Sequence, residues 1–217
     1  MDSGENFNDD APQFFEIEYS FGTLMVDPDI YYRIVKDKTK RPFFKYKKIN
    51  YFCYINGHLR CRIEGGRKTY SLSRLLLQPE KYEIVDHINR NPLDNRRCNL
   101  RIVNPRQNAL NRIAKNSTGL IGVSCRPHRG KKQLGASFRT PNGKRLTFHI
   151  YDTPENRIIC ALVHDKFVIQ SGDEEYAPLN FPILKNEPFR NELIKMDISE
   201  FRKSNIEHFI KRLEVKL

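Results

Sequence analysis

The stretch Val85-Asp86-His87-Ile88-Asn89-Arg90-Asn91-Pro92-Leu93-Asp94-Asn95-Arg96-Arg97-Cys98-Asn99-Leu100-Arg101-Ile102-Val103, continuing to Gln107-Asn108, decides how the chain is read. Val85 and Ile88 flank a polar pair, the pattern of a short strand, and Arg90 to Asn95 supplies turn residues. Asp86 and His87 therefore stand at the mouth of a loop. Arg101-Ile102-Val103 can pair back as a second strand, and Asn104 before Pro105 is an N-cap and first-turn signal for a helix over Pro105 to Lys115. The unit reads as strand, loop, strand, helix.

That arrangement suits phosphodiester chemistry, which needs a nucleophile, a group to take its proton and a cation at the leaving oxygen. Successive strand residues face opposite sides, so of Asp86 and His87 one can face a metal while the other faces attacking water. A hard ion such as Mg²⁺ keeps several waters, so one carboxylate and one amide oxygen are enough protein ligation, and Asn108 can supply the amide. Taken singly, Asn99 and Asn108 read as cap or loop amides, and Asp86-His87 as a turn.

The chain of 217 residues carries a formal charge of +12. Its first 29 residues hold eight acids and no Lys or Arg, which leaves +20 on the remainder. Such a body calls for a polyanionic partner, nucleic acid before acidic membrane. Five cysteines without a Cys-x-x-Cys pair point to free thiols in a reducing compartment. Cys53, His58 and Cys61 lack a fourth ligand for structural zinc. No apolar run is long enough to span a bilayer, and the acidic start does not resemble a secretory signal. The expectation is a soluble, intracellular protein with no membrane partner.

Outward from the central unit, residues 1–13 read as a disordered acidic tail. Residues 14–83 form a basic, β-rich region. There Asn56-Gly57 joins the runs Ile49–Ile55 and His58–Ile63 as a hairpin, Arg67 to Leu72 adds a strand, a short helix follows near Leu75, and the aromatics read as core. The central unit occupies 84–115. In 116–182 a linker, Asn116 to Gly119, leads to three antiparallel strands, Ile121–Arg126, Leu134–Arg139 and Arg145–Tyr151. A helix opened by Thr153 and Pro154 then presents Ile158, Ile159, Leu162, Val163 and Phe167 to one sheet face, leaving the other basic. Residues 183–217 read as a Lys/Glu-rich tail whose final amphipathic helix (Ile206, Phe209, Ile210, Leu213, Leu217) docks in cis.

The run Val85 to Val103 with Gln107-Asn108-Ala109-Leu110-Asn111-Arg112 resembles the HNH homing endonucleases of phages and large DNA viruses, in the H-N-N subclass whose last catalytic position is Asn. The segment Thr118 to Pro182, with Gly119-Leu120-Ile121-Gly122-Val123, Tyr151-Asp152-Thr153 and Leu179-Asn180-Phe181-Pro182, is similar to the AP2 DNA-binding domain. Together these resemblances imply an α+β chain: a ββα-metal nuclease unit, then a three-stranded antiparallel sheet packed on one helix, then the helical tail. They imply that Asp86 and Asn108 bind one divalent ion, Mg²⁺ or Mn²⁺, and that neutral His87 is the general base. Asn99 would hold the His87 ring or the loop, with Asn95 the second choice for that duty. The implied partner is double-stranded DNA, nicked by a monomer to a 5′-phosphate and a 3′-hydroxyl in a virus- or phage-infected cell. The implied contacts are Arg126, Arg129, Lys131, Lys132, Arg139, Lys144 and Arg145 on the sheet, with Arg96, Arg97 and Arg101 in the motif. Two positions depart from the families: Ser73 precedes Arg74 where His is usual, and Cys125 stands where AP2 domains carry Trp. The rival readings are a DNA-binding regulator with a relic nuclease unit and a DNA-packaging protein.

Overall fold

Short alternating runs joined by two-residue turns build most of the sheet structure. The computed structural model describes residues 13–32, 49–63, 67–112, 116–202 and 206–213, so the expected disordered tail, save Gln13, and Leu217 of the last helix lie outside the described residues. The chain divides into two units, Met1–Asn108 and Ala109–Leu217.

In the first unit, β1 (Phe15–Tyr19) and β2 (Gly22–Val26) form a hairpin, followed by the single-turn helix α1 (Pro28–Tyr31). Strands β3 (Ile49–Ile55), β4 (His58–Ile63) and β5 (Thr69–Ser71) form an antiparallel sheet in that order. Asn56 and Gly57 both take positive φ, 50° and 78°, as a type I′ turn requires. Alternation along β4 buries Leu59 and Cys61 and leaves Arg62 exposed. These side chains join Leu24, Val26, Ile30 and Leu72 in one apolar core. Helix α2 (Leu72–Leu77) ends at Gln78 in the left-handed region, φ 48°, and leads into the short hairpin β6 (Ile84–His87) and β7 (Leu100–Val103).

Helix α3 (Pro105–Leu110) stops short of Arg112, and the expected helix end at Lys115 lies outside the described residues. Its start has a reciprocal capping box: the Gln107 N–H donates to Asn104 Oδ1 and the Asn104 N–H donates to Gln107 Oε1, both at 2.9 Å. Its end is a turn at the buried Asn111, where the Arg112 N–H closes on the Ala109 carbonyl.

In the second unit, β8 (Val123–His128), β9 (Lys131–Arg139) and β10 (Arg145–Tyr151) form a three-stranded antiparallel sheet with β9 central. The first hairpin is tighter than expected. Arg129 and Gly130, at φ 49° and 74°, make a two-residue turn, so β9 starts at Lys131 rather than Leu134. Helix α4 (Pro154–Gln170) packs on this sheet, its first turn capped by Thr153 Oγ1, which accepts from the Asn156 N–H at 3.2 Å.

The apolar face expected on α4 is only part of its burial. From Cys160 to Ile169 every residue is buried, including His164, Asp165 and Lys166. The reason is the C-terminal segment, which packs on the same core. Leu184, Leu193 of α5 (Phe189–Lys195), Phe201, and Ile206 and Phe209 of α6 (Ile206–Arg212) share one cluster with the sheet and α4. The buried polar groups are matched. Lys166 Nζ donates to the Leu193 and Ile194 carbonyls at 2.6 and 2.7 Å, satisfying the last turn of α5. Asp165 accepts from the Asn180 and Phe181 N–H groups, and Asn180 exchanges two hydrogen bonds with the Ile121 backbone.

Gly122 has φ 68°, and a Cβ there would stand 1.9 Å from His164 Cδ2. Gly122→Ala should therefore lose at least about 2 kcal/mol in urea unfolding, through overpacking and backbone strain. Lys166→Met should cost about 1–3 kcal/mol in the same measurement, because it leaves buried carbonyls without a donor.

Candidate functional site

Strands β6 and β7 set which side chains share a face. Asp86 stands directly opposite Arg101, and His87 opposite Leu100. Adjacent strand positions point to opposite faces, so Asp86 and His87 diverge from the hairpin. Asp86 is buried, and Arg101 holds its Oδ2 through Nε at 2.9 Å and Nη2 at 2.7 Å.

The loop between the strands is closed by polar side chains. Asn99 Oδ1 accepts from the Asn89 N–H, and its Nδ2 donates to Asn89 Oδ1 and to the Asp94 carbonyl, each at 2.9 Å. Asn89 Nδ2 also donates to Asp94 Oδ2 at 2.8 Å. Asn89 and Asn91 make consecutive Asx turns, accepting from the Asn91 and Leu93 N–H groups. Asp94 is fully buried and forked by Arg96, Nε to Oδ1 at 2.8 Å and Nη2 to Oδ2 at 2.6 Å. Burial alone would raise the Asp94 pKa, but the Arg96 hydrogen bonds prevail and hold it below the usual carboxylate range.

Of the two amides considered for His87, Asn95 hydrogen-bonds its ring, while Asn99 ties the loop. Burial pushes the His87 pKa below the ordinary imidazole value, opposed by the Asn95 hydrogen bond and by Asp86 and Asp94, and assisted by His58. The imidazole is thus neutral over a wider pH range than an exposed histidine. The nearness of His58 on β4 was not legible in the sequence.

The β1–β2 hairpin and α1 brace the loop from outside. Met25 exchanges backbone hydrogen bonds with the loop, its N–H to the Leu93 carbonyl and its carbonyl from the Asn95 N–H, both at 2.9 Å. Gly22 lies against Leu93, whose Cδ1 a Cβ would meet at 2.8 Å. Arg97 donates to Asp27 and Asp29, and Arg96 stacks over the Phe14 ring at 4.5 Å. On the other side, Arg74 Nη1 donates to the Glu83 carbonyl at 2.7 Å and fixes the approach to β6. Asn89 and Asp94 were missed as supports by sequence reasoning, although Asx-turn spacing pointed to both. Asp27 and Asp29 act across about 70 residues and left no local signal.

Arg96, Arg97 and Arg101, expected at DNA, are therefore each engaged with a carboxylate of the chain. Asn108 closes the first turn of α3; its N–H bonds the Asn104 carbonyl at 3.0 Å and its side chain is half-buried. Among the described residues no group of three or more His, Cys, Asp and Glu side chains could hold a metal. One carboxylate and one amide are outside that pattern, yet as hard oxygen donors they suit an ion that retains most of its water. The Arg101 fork on Asp86 adds that this carboxylate already accommodates a cation.

The remaining expected contacts lie on the second unit. Leu134, Ala136 and Phe138 of β9 turn toward α4, so Gln133, Gly135, Ser137 and Arg139 line the open face. Arg126, Arg145, Thr147 and His149 are exposed beside them and, with Ser124, Ser137 and Gly135, line a depression of about 240 Å³. Arg139 and Arg145 are directly opposite across the strand pair, Arg129 is in the first turn, and Lys131, Lys132 and Lys144 are exposed at the sheet ends. No described helix is long and apolar enough to cross a membrane.

Residues 79–110 match the family model described as HNH endonuclease, which includes the whole β6–β7 hairpin, its loop and α3. No curated protein matches the chain, and no solved structure does.

Proposed function

We propose that the protein is a metal-dependent DNA endonuclease of the HNH homing type, in the H-N-N subclass, which nicks one strand of double-stranded DNA as a monomer and leaves a 5′-phosphate and a 3′-hydroxyl. The observation that carries this reading is the divergence of Asp86 and His87 from one short hairpin, inside the segment that matches the HNH model. His87 accepts the proton of the attacking water, and its lowered pKa keeps it able to do so at neutral pH. Asn95 orients the ring, and Asn99 holds the loop that carries both residues. Asp86 and the Asn108 amide would hold one Mg²⁺ or Mn²⁺. When bound, that ion supplies charge at the leaving oxygen.

The open face of β8–β10 supports an AP2-like role in duplex recognition. Like charges directly opposite on a sheet destabilise it, so the Arg139–Arg145 pair favours a polyanion laid across the face. A sheet of this size can enter the major groove, where Arg126, Arg139 and Arg145 would divide between phosphates and base edges. Arg129, Lys131, Lys132 and Lys144, at its ends, suit flanking phosphates. A virus- or phage-encoded protein acting in the infected cell fits this reading.

With Mg²⁺ or Mn²⁺, purified protein should convert supercoiled plasmid carrying source-genome DNA to open circles, and His87→Ala should slow that conversion by about 10²-fold or more. Binding without any nicking in this assay would favour a regulatory or packaging protein instead. The pH profile of kcat/KM should carry its acid limb below the ordinary histidine value of about 6.5, because a lowered pKa keeps the base neutral to lower pH. Asn95→Ala should move that limb lower still, since it removes a hydrogen bond that raises the pKa. Replacing Arg126 and Arg145 together by Ala should weaken duplex binding and flatten its log K versus log salt slope by about 2, measured by fluorescence anisotropy.

A further inference from the structure

We propose that Arg101 is the resident counter-ion of Asp86, and that a divalent ion binds at this carboxylate by displacing it. The proposal rests on the metal-binding reading of Asp86 given above. The two residues face each other across β6 and β7, and their side chains leave the hairpin on one face. Both Arg101 donors converge on the single oxygen Oδ2, and the side chains are only 16% and 8% exposed. A guanidinium keeps its charge throughout the accessible pH range, so it cannot yield its place by deprotonation. A hard divalent ion needs direct contact with a carboxylate oxygen at about 2.0–2.1 Å. Two cations held on one buried carboxylate repel, so the arrival of a divalent ion weakens the hold of Arg101 and favours its departure.

Arg96 and Arg97 do not have this geometry. Arg96 is locked on Asp94, which braces the loop, and Arg97 on Asp27 and Asp29. Arg101 is the arginine engaged with the carboxylate that the proposed chemistry uses. Displacement leaves its fork on the face where Asp86 lies, and the same fork that fits a carboxylate fits a phosphate. Metal binding and a phosphodiester contact are thereby coupled. Before the ion arrives, Arg101 neutralises Asp86; afterwards it is available to the DNA backbone beside the ion. By reciprocity, a phosphate that draws Arg101 away raises the affinity of Asp86 for the ion.

The test uses the full chain without DNA. Arginine Nε–H groups are followed in ¹H–¹⁵N spectra during titration with MgCl₂, with calorimetry on the same sample and Arg101→Lys to assign the signal. The expected result is an Arg101 Nε–H signal that shifts and exchanges faster with water, with the midpoint of the binding heat. Arg101→Met, checked for folding by circular dichroism, should bind Mg²⁺ on the order of tenfold more tightly. Mg²⁺ binding that leaves the Arg101 signal unmoved would overturn the displacement while leaving the metal reading intact. Absence of binding to the wild type but binding to Arg101→Met would support it strongly. Absence of binding to both would sink the metal reading of Asp86, and this inference with it.

Discussion

A fully buried carboxylate, Asp94, is the joint on which the candidate site depends. An ionised side chain at zero exposure is tolerated only when opposite charge and hydrogen bonds replace the water it has lost. Arg96 supplies the charge with two side-chain donors, and Asn89 supplies a further hydrogen bond. The Asp94 main chain takes part as well: its carbonyl accepts from Asn99, and it bridges to Met25 on β2. Because its folded pKa is depressed, this stabilisation is complete above the ordinary carboxylate range and is lost only as pH falls through the lower folded value.

Around that joint the loop is tied together by polar side chains. The β6–β7 hairpin is four residues long on each side and could not stand alone in water. Its rigidity comes from Asn89, Asn91 and Asn99 tying the loop to itself and from Arg97, Met25 and Gly22 tying it to the N-terminal hairpin. The acids Asp27 and Asp29 are thus part of the support. The consequence for the candidate site is that Asp86 and His87 sit on a hairpin held by residues other than themselves.

The second unit solves a different problem with the same means. Its α4 is enclosed by the sheet on one side and by the C-terminal helices on the other, so the three consecutive polar residues His164, Asp165 and Lys166 are all buried. Each has a defined partner, which specifies how the C-terminal segment and the Ile121-Gly122 loop seat on the helix. This leaves the opposite sheet face outside the core, with Arg126, Arg139, Arg145 and His149 on it.

Local patterns were sufficient for the elements. The Asn56-Gly57 turn, the Thr153-Pro154 start of α4, the Asn104-Gln107 start of α3 and the alternation that separates Asp86 from His87 all follow from a few adjacent residues. The motif Val85 to Asn108 was legible as well, through its resemblance to HNH endonucleases, and residues 79–110 match the model of that family. What only the tertiary structure decided were the pairings between distant charges: Arg101 on Asp86, Arg97 on Asp27 and Asp29, Asn95 rather than Asn99 on the His87 ring, and Lys166 inside a helix that reads as one-sided. An arginine in a basic stretch looks the same in sequence whether it will meet a phosphate or a carboxylate. The choice rests on which carboxylates the fold carries within reach and out of water, and that is a property of packing, with no signature in the residues next to it.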